Sequence, residues 1–198
     1  RNKIFNSKLG IIMEGFYKYI PNFLTKEEIN LLCDYTRIKH RINYTHFDLT
    51  QTNAGETYGY GDPAMESLLI NKKERVEQEA NIKLLPTYAC WRMYCQFSDL
   101  EMHTDRDACE YSITANLGSD GTPFPIFMND TPIEVKVGDA VLYKGLEIPH
   151  GRKEFEGDWH SQVFLHYVDA NGPHKKWVKD GRLLWGMEET ASLYVNEI

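Results

Sequence analysis

The sequence predicts an α+β fold that is mainly β, with a double-sheet β-roll and helices packed on one side of it. Two segments with helical spacing of apolar residues come first, at about 26–38 and 62–81. About seven short segments that alternate or are rich in aromatic residues follow Pro86, and turn signals separate them. Helices that precede a run of strands favour an α+β class.

Each predicted helix has a start signal. Thr25 and Glu28 are spaced as a capping box, in which each side chain accepts a hydrogen bond from the backbone N–H of the other residue. Asp62 followed by Pro63 is a typical pair of N-cap and first-turn residues. We expect this second helix to end near Asn81.

Turn residues such as Gly118-Ser-Asp-Gly121 and Gly138-Asp139 bound the strand-like segments. These segments lie at 87–97, 110–117, 125–128, 132–137, 139–144 and 160–169. No repeat or low-complexity run interrupts the sequence, so we expect a single domain over residues 1–198. Its expected parts are a helical support at about 16–82, a β core at about 86–170, and a C-terminal covering segment at about 171–198.

Composition and charge argue against several classes of protein. The formal net charge is −7, whereas a protein that binds nucleic acid through phosphates normally has a basic surface. No run of about 18 apolar residues indicates a membrane helix, and no signal peptide is visible. We therefore expect a cytoplasmic protein without a membrane or nucleic-acid partner. The four cysteines include no CxxC pair, which argues against a zinc ribbon and favours free thiols.

Three residues form a candidate metal site. His103 and Asp105 are separated by one residue, and side chains at this spacing on an extended chain point the same way. His150 follows a strand-like segment and offers a third ligand. Two histidines and one carboxylate that leave coordination positions open are typical of non-haem Fe(II) oxygenases. A second His-x-Asp pair, His46 and Asp48, has no partner histidine at a suitable distance, and we interpret it as a chance occurrence.

These features resemble the Fe(II)- and 2-oxoglutarate-dependent dioxygenases, particularly the prolyl-hydroxylase-like branch, over about residues 16–170. The similar stretches are Pro21-Asn-Phe-Leu-Thr-Lys-Glu-Glu28, a tyrosine ahead of the His-x-Asp motif, Gly138-Asp-Ala-Val-Leu-Tyr143 and the distal histidine. The resemblance implies a double-stranded β-helix, a jelly-roll or cupin-like fold. It also implies that the three residues above hold Fe(II), with 2-oxoglutarate and O₂ as co-substrates and succinate and CO₂ as products.

The resemblance also suggests residues that bind 2-oxoglutarate. Tyr94 matches a position where this branch often hydrogen-bonds the distal carboxylate, and Arg92 lies on the same predicted strand. The family usually places Arg or Lys on the strand after the distal histidine, where this sequence has His160. We expect His160 to contact the 5-carboxylate as an imidazolium, and a core histidine bonded to a neighbour is the other interpretation. Arg152, two residues beyond His150, is an alternative anchor.

The substrate is open between a peptidyl proline and a small molecule, with hydroxylation as the expected outcome. Arg106 faces either an anionic substrate group or Glu110 as its ion-pair partner. Tyr58 and Tyr60 belong to a glycine-rich stretch at 52–61 that is a candidate lid over the substrate. Two other functions are considered: a non-catalytic cupin-like module that binds a metal or ligand, and a nucleic-acid demethylase of the same superfamily. The net charge argues against the second.

Overall fold

The computed structural model describes residues 5–6, 11–12, 17–41 and 56–187. The strands are β1 (Phe5–Asn6), β2 (Ile11–Ile12), β3 (Tyr17–Ile20), β4 (Thr57–Tyr60), β5 (Leu84–Cys95), β6 (Leu100–His103), β7 (Tyr111–Ser119), β8 (Ile126–Met128), β9 (Thr131–Ile133), β10 (Ala140–Tyr143), β11 (His150–Arg152) and β12 (Trp159–Asp169). The helices are α1 (Lys26–Arg41) and α2 (Pro63–Ala80), and short 3₁₀ segments cover Asp107–Cys109 and Lys175–Gly181. The predicted fold class, α+β and mainly β, is confirmed.

The strands form two sheets. The larger sheet has the order β1-β2-β3-β10-β7-β12-β5-β4, and the smaller has the order β6-β11-β8-β9. Neighbouring strands in both sheets run antiparallel. The central strands β7, β12 and β5 are long, and the smaller sheet packs over one of their faces.

Side chains on β12 alternate between two environments, as the pleat of a strand requires. Val163 and Leu165 belong to the main apolar core, together with residues of α1 and α2. Gln162, Phe164 and His166 alternate with them along the strand and therefore point to the opposite face, where they are also buried. The helices thus cover one face of the larger sheet, and polar residues are collected on the other face, next to the smaller sheet.

Both helices begin at the predicted caps. The Thr25 N–H donates to Glu28 Oε2 at 2.8 Å, and the Glu28 N–H donates to Thr25 Oγ1 at 3.2 Å, which completes the capping box. The Asp62 carboxylate accepts the Ala64 N–H at 2.9 Å, and Asn81 ends α2 in the left-handed conformation, with φ 57°. Neither helix is long and apolar enough to cross a membrane.

Four strands of the larger sheet, β1 to β4, were not predicted. β3 pairs with β10 and β4 pairs with β5, so the segment expected to be a helical support also contributes strands. β3 and β4 have only four residues each, and their burial does not alternate. Residues 52–55 of the candidate lid, and the pair His46 and Asp48, lie outside the described residues, whereas Thr57–Tyr60 of the candidate lid form β4.

Candidate metal centre and active-site pocket

His103, Asp105 and His150 converge between the sheets. β6 and β11 are paired, and His103 and His150 are direct Cα partners in the ladder. Asp105 Oδ1 lies 3.6 Å from His103 Nε2 and 3.5 Å from His150 Nε2. One potential ligand atom from each residue lies within 4.8 Å of the others. The structure therefore brings together the three residues that the sequence predicts as metal ligands.

Asp105 is held by the loop after β6 rather than by the strand itself. β6 ends at His103, so the expectation that both residues share one extended strand is corrected. The Asp105 N–H donates to the Gly145 carbonyl at 2.9 Å, and the Ser112 hydroxyl donates to Asp105 Oδ2 at 3.1 Å. A Cβ atom at position 145 would overlap with the Asp105 carboxylate, so this close approach requires glycine.

The two histidines have a defined tautomer. His103 Nδ1 lies 2.8 Å from the Glu101 carbonyl, and His150 Nδ1 lies 2.9 Å from the Ile148 carbonyl. A carbonyl oxygen only accepts, so both Nδ1 atoms carry a proton, which leaves the Nε2 atoms, on the side of Asp105, as the ring nitrogens that can bind a metal. Metal-binding histidines usually have such a hydrogen bond on the second nitrogen, because it fixes the ring. The donor set fits Fe(II) with open coordination positions.

The charges at this centre stabilise one another. Burial would raise the pKa of Asp105, but the neighbouring imidazoles of His103 and His150, with Nε2 atoms 3.6 Å and 3.5 Å from its carboxylate, hold it well below its ordinary value. The nearby Asp105 carboxylate raises the pKa of His103, against the effect of burial. The carboxylate is therefore ionised, as a hard metal ligand must be.

A second group of potential ligands shares Asp105 and adds Cys109 and His166. Burial raises the pKa of the Cys109 thiol well above its ordinary value, so a metal would have to displace its proton in order to bind there. His166 Nδ1 also lies 2.8 Å from the Ser112 hydroxyl, its hydrogen-bond partner. Of these two groups, the one with His103 and His150 is the better metal site.

The metal centre opens into a cavity of about 400 Å³. Four predicted cofactor or substrate residues line this cavity: Tyr58, Tyr60, Arg92 and Arg106. The lining also includes residues that the sequence did not single out for the site, namely Tyr88, Cys90, Leu100, Tyr143, Phe164, His166, Trp177 and Asp180. The walls are thus largely aromatic, with charged groups placed close to the metal ligands.

Tyr94, Arg152 and His160 do not line that cavity but form a buried polar cluster with Gln162. Arg152 donates through Nη2 to Gln162 Oε1 at 3.1 Å and through Nη1 to the Phe124 carbonyl. Its Nε and the Tyr94 hydroxyl are buried and have no hydrogen-bond partner among the described residues. No described carboxylate lies within ion-pair distance of the Arg152 guanidinium. Arg152 is thus a buried cation without a counter-ion in the described chain.

His160 is neutral in this cluster. Gln162 Oε1 accepts from Arg152, so the contact of 2.7 Å with His160 Nε2 requires the proton on that nitrogen. Burial, assisted by the Arg152 charge, lowers the pKa of His160 to about 3. This differs from the sequence-based expectation of an imidazolium at this position, because the sequence does not show how deeply the ring is buried or that Arg152 is its neighbour.

Arg106 has a different partner from the one considered in the sequence. Glu110 accepts the Asp169 N–H, whereas Arg106 forms a two-point ion pair with Asp180, at 2.7 Å and 2.6 Å. The Tyr60 hydroxyl donates a hydrogen bond to the same carboxylate. Burial would raise the pKa of Asp180, but the hydrogen bonds from Arg106 and Tyr60 lower it. The interpretation that Arg106 pairs with Glu110 is therefore wrong.

Comparisons with known proteins give matches in structure only. No model of a protein family and no curated protein matches the sequence. A viral collagen prolyl hydroxylase from Paramecium Bursaria Chlorella virus-1, solved as a 2OG complex, is 14% identical with a TM-score of 0.59, covering 78% of this chain and 96% of its own. A Pseudomonas putida prolyl-4-hydroxylase is 15% identical with a TM-score of 0.61, covering 77% of this chain and 92% of its own.

A third similar structure is the non-heme alpha ketoglutarate dependent epimerase SnoN from nogalamycin biosynthesis. It is 14% identical with a TM-score of 0.63, and the match covers 79% of this chain and 78% of the epimerase. At such low identity the likeness concerns the fold. The chain therefore has the double-stranded β-helix fold of the 2-oxoglutarate- and Fe(II)-dependent oxygenases, as the sequence predicts.

Proposed function

We propose that the protein is a 2-oxoglutarate-dependent Fe(II) oxygenase. The observation that carries the proposal is the arrangement on β11. His150 completes a set of two histidines and one carboxylate, and Arg152, two residues further on, is a buried cation without a carboxylate partner among the described residues. β11 thus contributes His150 to a proposed metal site and Arg152 to a neighbouring proposed site for an anion.

The proposed ligands of Fe(II) are His103, Asp105 and His150. Their Nε2 atoms and the carboxylate already face one another, so binding requires little rearrangement of these side chains. Fe(II), when bound with 2-oxoglutarate and O₂, supplies the oxidative decarboxylation that yields succinate and CO₂ and oxidises the substrate. The carboxylate of Asp105 favours hydroxylation over halogenation, because related halogenating enzymes lack this ligand.

Arg152 is the proposed anchor for the distal carboxylate of 2-oxoglutarate. A buried charge is costly unless it is paired, so a cation in this position indicates an anionic ligand. The Arg152 Nε–H and the Tyr94 hydroxyl are two donors without partners, and a carboxylate has two oxygens to accept them. His160 is neutral, and its proposed role is to hold Gln162 in position through the hydrogen bond between them. Arg92 lines the metal cavity and is proposed to act nearer the metal.

The substrate is proposed to be a peptidyl proline or a small molecule that is hydroxylated. Among the similar structures, a prolyl hydroxylase from Trichoplax adhaerens is in complex with a hypoxia inducible factor peptide fragment, and the epimerase SnoN is in complex with nogalamycin RO. Tyr58, Tyr60 and Arg106 are the proposed substrate-binding residues because they line the cavity next to the metal ligands.

Succinate release tests this function. The purified protein should convert 2-oxoglutarate to succinate only when Fe(II) and O₂ are both present. A slow conversion is expected even when the primary substrate is absent. Asp105→Ala should abolish the conversion. A non-catalytic cupin-like module would bind the metal and produce no succinate. A demethylase would bind single-stranded DNA with a strong dependence on salt, and we expect no such binding at a net charge of −7.

A further inference from the structure

A short C-terminal segment forms part of the active-site wall. This segment, called the strap below, covers residues 174–182. Trp177 and Asp180 of the strap line the same cavity as the metal ligands. The buried indole N–H of Trp177 has no hydrogen-bond partner among the described residues. The strap therefore presents a donor and a carboxylate in the cavity in which the substrate is proposed to bind.

The Asp180 carboxylate is bound in the way that a carboxylate ligand is usually bound. Two nitrogens of the Arg106 guanidinium donate to its two oxygens, and the Tyr60 hydroxyl donates to one of them. Two-point binding by arginine matches the planar geometry of a carboxylate. The Asp180 side chain is 2% exposed, whereas that of Arg106 is 48% exposed. Solvent thus reaches the Arg106 guanidinium much more readily than the Asp180 carboxylate bound to it.

Other ion-pair contacts hold the strap in place on both sides of Asp180. His174 Nδ1 lies 3.5 Å from the Asp107 carboxylate, and Arg182 forms a buried ion pair with Glu66 of α2. Between these points, the backbone at Asp180 is left-handed, with φ 56°, a conformation that residues other than glycine rarely adopt. The backbone is therefore bent at the position that delivers the carboxylate to Arg106.

We propose that Arg106 and Tyr60 form a carboxylate-binding subsite for the primary substrate, and that Asp180 fills this subsite until an anionic substrate replaces it. This inference rests on the proposed function and adds a substrate class, molecules with a carboxylate group. Arg106 directly follows Asp105 in the sequence, so a carboxylate bound there lies beside the metal centre. The substrate and Asp180 carry the same chemical group and compete for the same donors.

The test uses acetate as the probe and acetamide as its neutral counterpart. The full-length protein is loaded with Zn(II) in place of iron, and no 2-oxoglutarate is added, so the result does not depend on turnover. Asp180→Gly empties the subsite and suits the left-handed backbone. Asp107→Asn is the matched control, because it removes the other carboxylate that ties the strap to the metal loop and does not line the cavity.

We expect Asp180→Gly to bind acetate at least about tenfold more tightly than the wild type, because an intramolecular competitor is removed. Asp107→Asn should bind acetate like the wild type, and acetamide should show no gain in any variant. Arg106→Gln in the Asp180→Gly background should remove the gain, whereas acetate at the metal or at Arg152 would be unaffected. Thermal unfolding checks that each variant is folded, and Arg106→Lys, which loses the two-point geometry, replaces Arg106→Gln if that variant is not.

Equal affinity for acetate in Asp180→Gly and Asp107→Asn would overturn the inference, and so would a gain that survives the Arg106 change. The pair of Arg106 and Asp180 would then be a structural tie only. In the wild type, saturating acetate should speed tryptic cleavage after Lys179, and unchanged cleavage would refute the replacement of Asp180. Failure of these assays with intact succinate release would refute this inference and leave the proposed function standing.

Discussion

Replacing Arg152 by Gln removes the buried cation, and we expect this change to weaken the binding of 2-oxoglutarate. Arg152 is 4% exposed, and its Nε donor has no partner among the described residues. A hydrogen bond with a charged partner contributes about 1.5–3 kcal/mol. Since about 1.4 kcal/mol corresponds to a factor of ten, the dissociation constant should rise roughly 10- to 150-fold. Iron affinity should change little, because the three metal ligands are unaltered.

The assay is an anaerobic titration of the Fe(II)-loaded protein with 2-oxoglutarate, followed by its visible charge-transfer band. Lys153→Gln is the matched control, since Lys153 is exposed and its ammonium group lies over the Phe127 ring, at 5.0 Å from the ring centre. His160→Asn should weaken binding much less than Arg152→Gln, because the imidazole is neutral. The affinity of the wild type should also be nearly constant from about pH 6 to 9, since arginine keeps its charge throughout.

Two results would refute this reasoning. One is an Arg152→Gln protein that binds 2-oxoglutarate as tightly as Lys153→Gln does. The other is a wild-type affinity that falls as the pH rises through about 7 and a His160→Asn protein that lacks this dependence. The first result would remove Arg152 from the 2-oxoglutarate site, and the second would make His160 the charged anchor.

Three further predictions concern the metal and the stability of the fold. Asp105→Ala should lose bound iron while His46→Ala keeps it, as measured by metal content after dialysis. The opposite result would show that the pair with His46, and not the pair with Asp105, holds the metal. The pKa of His160 is lowered to about 3, against about 6.5 when unfolded, so the unfolded state binds the proton between these values. Stability should therefore fall by about 1.4 kcal/mol per pH unit below pH 6.5 through this residue, and urea unfolding of His160→Asn should show a shallower loss. Asp62→Ala should lower the unfolding free energy by at least about 0.5–2 kcal/mol, because α2 loses its cap and the Tyr35 hydroxyl loses its acceptor, whereas the exposed Ser67→Ala should change it by less than about 0.5 kcal/mol.

The parts of the fold that the sequence predicts are those with local signals. The capping box at Thr25 and the cap at Asp62 mark the helix starts because their hydrogen bonds join residues close in sequence. The three proposed metal ligands could be selected for a similar reason. His103 and Asp105 are close in sequence, and His150 follows a strand-like run.

The parts that the sequence does not predict depend on long-range contacts. Asp180 carries no local signal, because its role comes from Arg106, which is 74 residues away in sequence. Gln162 is likewise an ordinary residue of a strand until the fold places Arg152 beside it. The charge of His160 is decided by burial, which a sequence position alone does not give. The edge strand β4 has only four residues, and α2 separates it in sequence from its partner β5, so this pairing also depends on tertiary structure.

The visible spectrum of the anaerobic protein with Fe(II) and 2-oxoglutarate tests the central claim most directly, because it requires both the metal site and the co-substrate site and no primary substrate. We predict a charge-transfer band in the wild type that appears only when both components are present. The band should be absent from His150→Ala and should require more 2-oxoglutarate in Arg152→Gln. A wild-type protein that binds Fe(II) but gives no band at any concentration of 2-oxoglutarate would contradict the assignment as a 2-oxoglutarate-dependent oxygenase.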